Sequence, residues 1–152
     1  MNRILLSAVL ASASTAVFSS AAVVPPAYRA HLPPEQHQGE VSYISGGLSR
    51  EEADAIKRAS QEYPLELVFR QDVNGRPADL YDVPLQIRDD ATGKVVFDGR
   101  SAGPYFIARL PKGRYTVTAH WDDWNFSRDL AIGDARDRVI FAWKRDTPSN
   151  IG

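Results

Sequence analysis

From residue 65 to residue 144 the chain alternates apolar and polar side chains with a period of two, and this alternation constrains the fold more than any other feature. Its clearest stretch is 114–121, where Tyr115, Val117, Ala119 and Trp121 alternate with Arg114, Thr116, Thr118 and His120. Successive strand side chains point to opposite faces, so such a run describes a strand buried on one side and wet on the other. Val83, Leu85 and Ile87 alternate in the same way with Pro84, Gln86 and Arg88, and Pro84 suggests a strand at a sheet edge. Turn chemistry interrupts the pattern at short intervals: Asn74-Gly75, 89–93, Gly103-Pro104, 110–113, 122–125 and 133–137. Between these turns lie seven expected strands, 65–71, 83–88, 94–98, 105–110, 114–121, 126–132 and 138–144. Tight turns favour antiparallel pairing. The expected body, over 65–145, is therefore mainly β, a seven-stranded antiparallel Greek-key sandwich.

Before this body the period is 3.6. Ser49 stands three residues ahead of Glu52 as a capping box, Leu48 and Ala53 take the staple positions, and Ile56, Ala59 and Tyr63 share one face until Pro64 stops the helix. Residues 41–64 thus read as a polar Gly-Gly loop followed by one short amphipathic helix. Residues 23–40 carry four prolines and little periodicity, which predicts an extended, mobile lead-in.

The first 22 residues have one basic side chain, Arg3, then an apolar run rich in small residues and Ser19-Ser20-Ala21-Ala22 at its exit. That pattern predicts a secretory signal peptide cleaved after Ala21 or Ala22, and hence an exported protein, periplasmic or extracellular, with no membrane span left after processing. With no cysteine in the chain, lipid attachment, disulfides, thiol catalysis and Cys-type zinc sites are all excluded. Losing Arg3 leaves 17 basic against 19 acidic residues, a net charge of −2, which argues against a nucleic-acid partner. The last residues, 146–152, read as a flexible tail.

Two segments, LPKGRYTVTA (110–119) and DVPLQIRDDATGKVVFDG (82–99), resemble the carboxypeptidase regulatory-like domains, small transthyretin-like sandwiches in which a turn precedes a Gly-x-Tyr-x-Val strand. The resemblance extends over about 65–144, and the whole chain is similar to small exported proteobacterial proteins described by that domain. It implies structural support, adhesion or ligand presentation, and no catalytic residues. One transthyretin-fold relative hydrolyses a urate derivative with a His/Arg cluster and a C-terminal Tyr-Arg-Gly-Ser motif. This chain ends in SNIG.

Several groupings could carry chemistry. Ser45-Gly46-Gly47 before a helix could cradle an anion on backbone N–H groups, but it lacks the Gly-Lys-Ser/Thr ending of a phosphate loop. Ser49 and Glu52 claim the same donors, and Glu51 repels an incoming anion, so docking of the helix is the better account. His120 beside Asp122 and Asp123 has metal-ligand chemistry, yet adjacent carboxylates in a turn are ordinary turn formers; His31, Glu35 and His37 sit in the lead-in, without preformed geometry. No metal or other cofactor is expected. No Gly-x-Ser-x-Gly elbow is present. The aromatic cluster Trp121, Trp124 and Phe126 leaves Trp124 as the ring free to face a ligand, since the other two fit inward positions. The candidate binding residues are Trp124 with Asp122, Asp123 and Asn125. The leading expectation is a non-enzymatic interaction or structural module of the cell envelope, its partner an envelope protein or a glycan. A carbohydrate-binding module is the alternative, and an unrecognised hydrolase the third reading.

Overall fold

The computed structural model describes residues 26–145. The leader expected over 1–22, the start of the lead-in and the tail at 146–152 lie outside the described residues. Of the described residues 55% are in strands and 15% in helices, and the strands form two sheets. The first sheet contains β1 (Gln36–Gln38), β2 (Val41–Gly46), β3 (Leu65–Val73), β4 (Arg76–Asp79), β7 (Tyr105–Arg109) and β10 (Asp137–Arg145). Its order is β1-β2-β7-β3-β10, with β4 paired to the far end of β3. The second contains β5 (Pro84–Asp89), β6 (Val95–Arg100), β8 (Gly113–Trp121) and β9 (Trp124–Ile132), in the order β6-β5-β8-β9. One α-helix, α1 (Arg50–Ala59), continues into a 3-10 turn at Ser60–Glu62.

The inward side chains of both sheets meet in one core. Leu67, Phe69, Phe106 and Phe141 come from the first sheet, and Leu85, Ile87, Phe97, Tyr115 and Val117 from the second. A smaller core lies on the outer face of the first sheet, where Ile56, Ala59 and Tyr63 of the helical segment cover Ile44, Val68, Tyr105 and Ile107. The molecule is therefore three layers deep, helix on sheet on sheet. Central strands covered on both faces need apolar side chains at consecutive positions, and Leu65–Phe69 and Tyr105–Ala108 are buried without interruption in that way. Glu66 interrupts the apolar run of β3. Its buried carboxylate meets Arg138 at 3.3 Å and Arg136 at 3.6 Å, so its charge is compensated.

Each of the seven expected strands has a counterpart, displaced by two residues or fewer at either end. Four expectations need correction. Residues 41–46, expected as loop, form β2, an interior strand paired with β1 and β7. Val41 and Tyr43 face the main core while Ile44 faces the helix, so burial on both sides erases a period of two. The antiparallel expectation fails at one pair, because β10 arrives from the second sheet and runs parallel to β3 from Asp137 opposite Leu65 to Arg145 opposite Val73. Pro84 is not at a sheet edge; it opens β5, which lies between β6 and β8, and a first position tolerates the missing donor.

The lead-in is the fourth correction: its described part, 26–40, is docked rather than mobile. A 3-10 turn at Ala27–His31 packs Tyr28, and Leu32 just beyond it, against the helix, and Arg29 grips Glu62 at 2.9 Å. Glu35 then accepts hydrogen bonds from Tyr63 and, at 2.8 Å, from Arg109. Past it, β1 borders the first sheet. There the Gln38 amide bonds the backbone of Asp98 on β6 in both directions, at 2.6 and 3.1 Å, stapling the two sheet edges together.

Candidate functional site

Strands β8 and β9 form a hairpin in which Trp121 faces Trp124 across the two-residue loop Asp122-Asp123. Asp122 takes φ +55, a left-handed conformation that Asp tolerates better than most residues. Opposed residues of a pair share a sheet face, so Trp124 lies on the inner face, one step beyond the end of the core. Trp121 and Phe126 pack against the core's edge, Phe126 meeting Trp143 edge to face at 5.2 Å. The Trp124 ring overhangs this rim and is 65% exposed.

The four candidate binding residues divide into two kinds. Asp122 is ion-paired with Arg145 at the end of β10, and Asn125 is hydrogen-bonded to Nδ1 of His120. Both brace the hairpin. Asp123 and Trp124 carry no side-chain bond among the described residues.

Two further hydrophobic side chains belong to this end of the molecule. Leu85 lies opposite Ala119, so the segment before β5, including Tyr81, runs beside the tip of β8. Backbone bonds from Asp82 N–H to Ser101 and from Ser101 N–H to Val83 join it to the segment before β7. Strand β7 starts at Tyr105 opposite Gly46, which brings Leu48 to the same end. Leu48 is 69% and Tyr81 61% exposed, so three of the five large exposed hydrophobic residues described, with Trp124, crown one end. The staple expected between Leu48 and Ala53 is accordingly not what buries Ala53. An ion pair between Asp82 and Arg100 at 2.6 Å stiffens the same loops, and the Arg100 guanidinium holds the Asp82 carboxyl below its usual range.

The glycine pair in the nearby β2–α1 connection is a docking device. Gly47 has φ +100, and a Cβ there would lie 2.5 Å from the Tyr105 ring; Gly46 and Gly103 approach backbone to backbone. Ser49 caps α1 by accepting from the Glu52 N–H at 3.1 Å, while the Glu52 carboxylate accepts from Gly47 N–H at 2.6 Å. The anion at this helix start is the chain's own. In the lead-in, Glu35 joins Tyr63 and Arg109, whose guanidinium lies 3.8 Å over the Tyr63 ring. Burial, then the Glu35 hydrogen bond, pushes the Tyr63 hydroxyl up to about 12. Among the described residues no three His, Asp or Glu side chains converge as a metal site.

At the opposite end, the turns before β2, between β5 and β6, and before β8 enclose a cleft of about 620 Å³. Val41, Val95, Val96, Pro111 and Tyr115 form its apolar walls; Glu40, Asp89, Thr92 and Lys94 supply polar groups. Reading along the chain singled out none of these residues as a site. Each belongs to an ordinary turn or to the core, and only the stacking of the sheets gathers them. No family model matches the chain, and no curated protein is significantly similar to it.

Proposed function

We propose that the chain is an exported, non-catalytic binding module of the cell envelope, a Greek-key sandwich of the carboxypeptidase regulatory-like kind with added N-terminal strands. The observation that carries the binding role is the crown of Leu48, Tyr81 and Trp124 at one end, with the Trp124 and Tyr81 loops held by the Asp122–Arg145 and Asp82–Arg100 pairs. Rigid loops presenting isolated aromatic anchors lose little entropy on binding, and such anchors dominate interface energies. Two further features support the reading: the leader pattern of residues 1–22, and the LPKGRYTVTA segment that supplies the turn and strand β8. The crown engages an envelope protein, with Trp124 and Asp123 as direct contacts and Asp122 and Asn125 as their supports.

Retention of the processed protein on washed cell envelopes tests this. Trp124→Ala removes an anchor of about 2 kcal/mol or more, so retention should fall at least about tenfold while the unfolding midpoint stays put. Protease treatment of the envelopes should abolish it. Undiminished retention of a Trp124→Ala, Tyr81→Ser double variant would refute the reading. The free Trp124 ring also favours a second one, a carbohydrate ligand. In that case retention survives protease treatment, and soluble glycans raise the melting temperature of the wild type but not of Trp124→Ala.

A further inference from the structure

The cleft at the other end of the sandwich has three features that together specify a ligand. Its floor reaches the main core: Val41 is 1% and Tyr115 3% exposed, and the Tyr115 hydroxyl is already spent, donating to the Pro111 carbonyl at 2.7 Å. The cleft base therefore offers ring and methyl surface rather than donors. Val95 on its wall is 41% exposed, apolar area left in water that an occupant would cover.

The second feature is charge. Glu40 stands on the wall made by the β1–β2 turn, and Lys94 on the wall made by the β5–β6 turn. Neither is ion-paired among the described residues. The other lining lysine, Lys112, is committed to Asp134 at 2.6 Å, and one oxygen of Asp89 is committed to the Ala91 N–H at 2.9 Å. Thr92 accepts from Lys94 N–H at 3.3 Å and keeps its own hydroxyl proton to donate. The β1–β2 turn thus contributes a carboxylate and the β5–β6 turn an ammonium with a hydroxyl, to a lining that also holds Val41, Val95 and Val96. Burial, and after it the negative charges of Asp89 and Glu40, hold the Tyr115 hydroxyl above its ordinary value.

The third feature is size, since about 620 Å³ lies within the range of small-molecule sites. From these features we infer that the cleft binds a short apolar peptide by its two free termini, the ammonium end at Glu40 and the carboxylate end at Lys94 and Thr92, with side chains against Val95 and Tyr115. The inference is independent of the crown at the opposite end.

Titration calorimetry with Leu-Gly-Leu, and with its N-acetylated and C-amidated forms, tests it on the processed protein. The wild type should bind the free peptide and lose at least about tenfold in affinity on either capping, one lost charged hydrogen bond being worth roughly 1.5–3 kcal/mol. Glu40→Gln should weaken the free peptide by a similar factor yet leave the N-acetylated form unaffected, and Lys94→Gln should do the same with the C-amide. Both side chains are exposed and unpaired, so neither variant should change the melting temperature. Val95→Trp, which fills the cleft, should abolish binding, whereas Trp124→Ala should leave it intact. No heat at millimolar peptide, or binding indifferent to capping and to both charge variants, overturns the inference.

Discussion

Replacing Gly47 by alanine tests why a glycine pair precedes the helix. Two costs act there. At φ +100 an L-residue is strained, by about 1–2 kcal/mol on the scale of left-handed backbone. The new Cβ would also sit 2.5 Å from Cδ2 of Tyr105, a ring locked in the core under the helix, and overpacking of this sort costs about 1–3 kcal/mol. Gly47→Ala should therefore lose about 2–5 kcal/mol in all. Gly93 provides the control, because its φ is +71 but nothing lies within 4 Å of a Cβ built there. Gly93→Ala should lose only the conformational part, about 1–2 kcal/mol. Urea unfolding followed by tryptophan fluorescence measures both, and the excess should appear as an additional fall in melting temperature of roughly 5–15 °C. In a Tyr105→Ser background the excess should shrink, as expected for two residues in contact. Equal losses in the two alanine variants would refute the docking argument. Phosphate should not stabilise the wild type, because Glu52 already occupies the Gly47 N–H.

Ser49→Ala removes the acceptor of the Glu52 N–H and should lower stability by about 0.5–2 kcal/mol in the same urea assay, without altering binding at either end of the sandwich. Tyr63 makes stability sensitive to alkali. Its folded-state value of about 12 exceeds the ordinary tyrosine value of 10, so the unfolded chain ionises first; stability is complete below pH 10 and declines as pH rises toward 12. Urea midpoints across that range should fall with pH, and Tyr63→Phe should flatten the decline, leaving the smaller part due to Tyr115, which is raised as well.

How legible each strand was depended on how many of its faces are buried and on where its partner lies. Strand β8 has one wet face and two antiparallel neighbours, so its alternation reads directly from 114–121. Strand β2 has the same status in the sheet but was hidden. Val41 and Tyr43 serve one core and Ile44 the other, while Ser45 makes two backbone contacts, accepting from Ala102 N–H and donating to Tyr105 O, and no periodicity survives that mixture. The short β1 and β4, QHQ and RPAD, are exposed throughout and held by backbone pairing and polar side-chain contacts, which leaves no hydrophobic trace. The parallel β3–β10 pair is a matter of which sheet the chain enters after Gly133, and turn residues do not encode that.

The same logic separates the two ends of the molecule. Trp124 stands out in the sequence because a large apolar residue inside a polar turn breaks the local rule that turns are hydrophilic, and its ring is exposed. Its neighbours were read as ligands because they are acidic or amide residues in a loop, while Arg145, which engages Asp122, stands 23 positions away. The cleft leaves no comparable mark. Glu40, Lys94 and Tyr115 each obey their local rule, as turn charges and as an inward strand residue, and become a site only where three turns meet. Strand β8 links the two ends and spans nine residues, so they stand about 25 Å apart. At that distance, with no shared side chains, the energies of the two ends should add independently. A partner held at the crown and a peptide held in the cleft could then be bound at once, each without displacing the other, on the same rigid body.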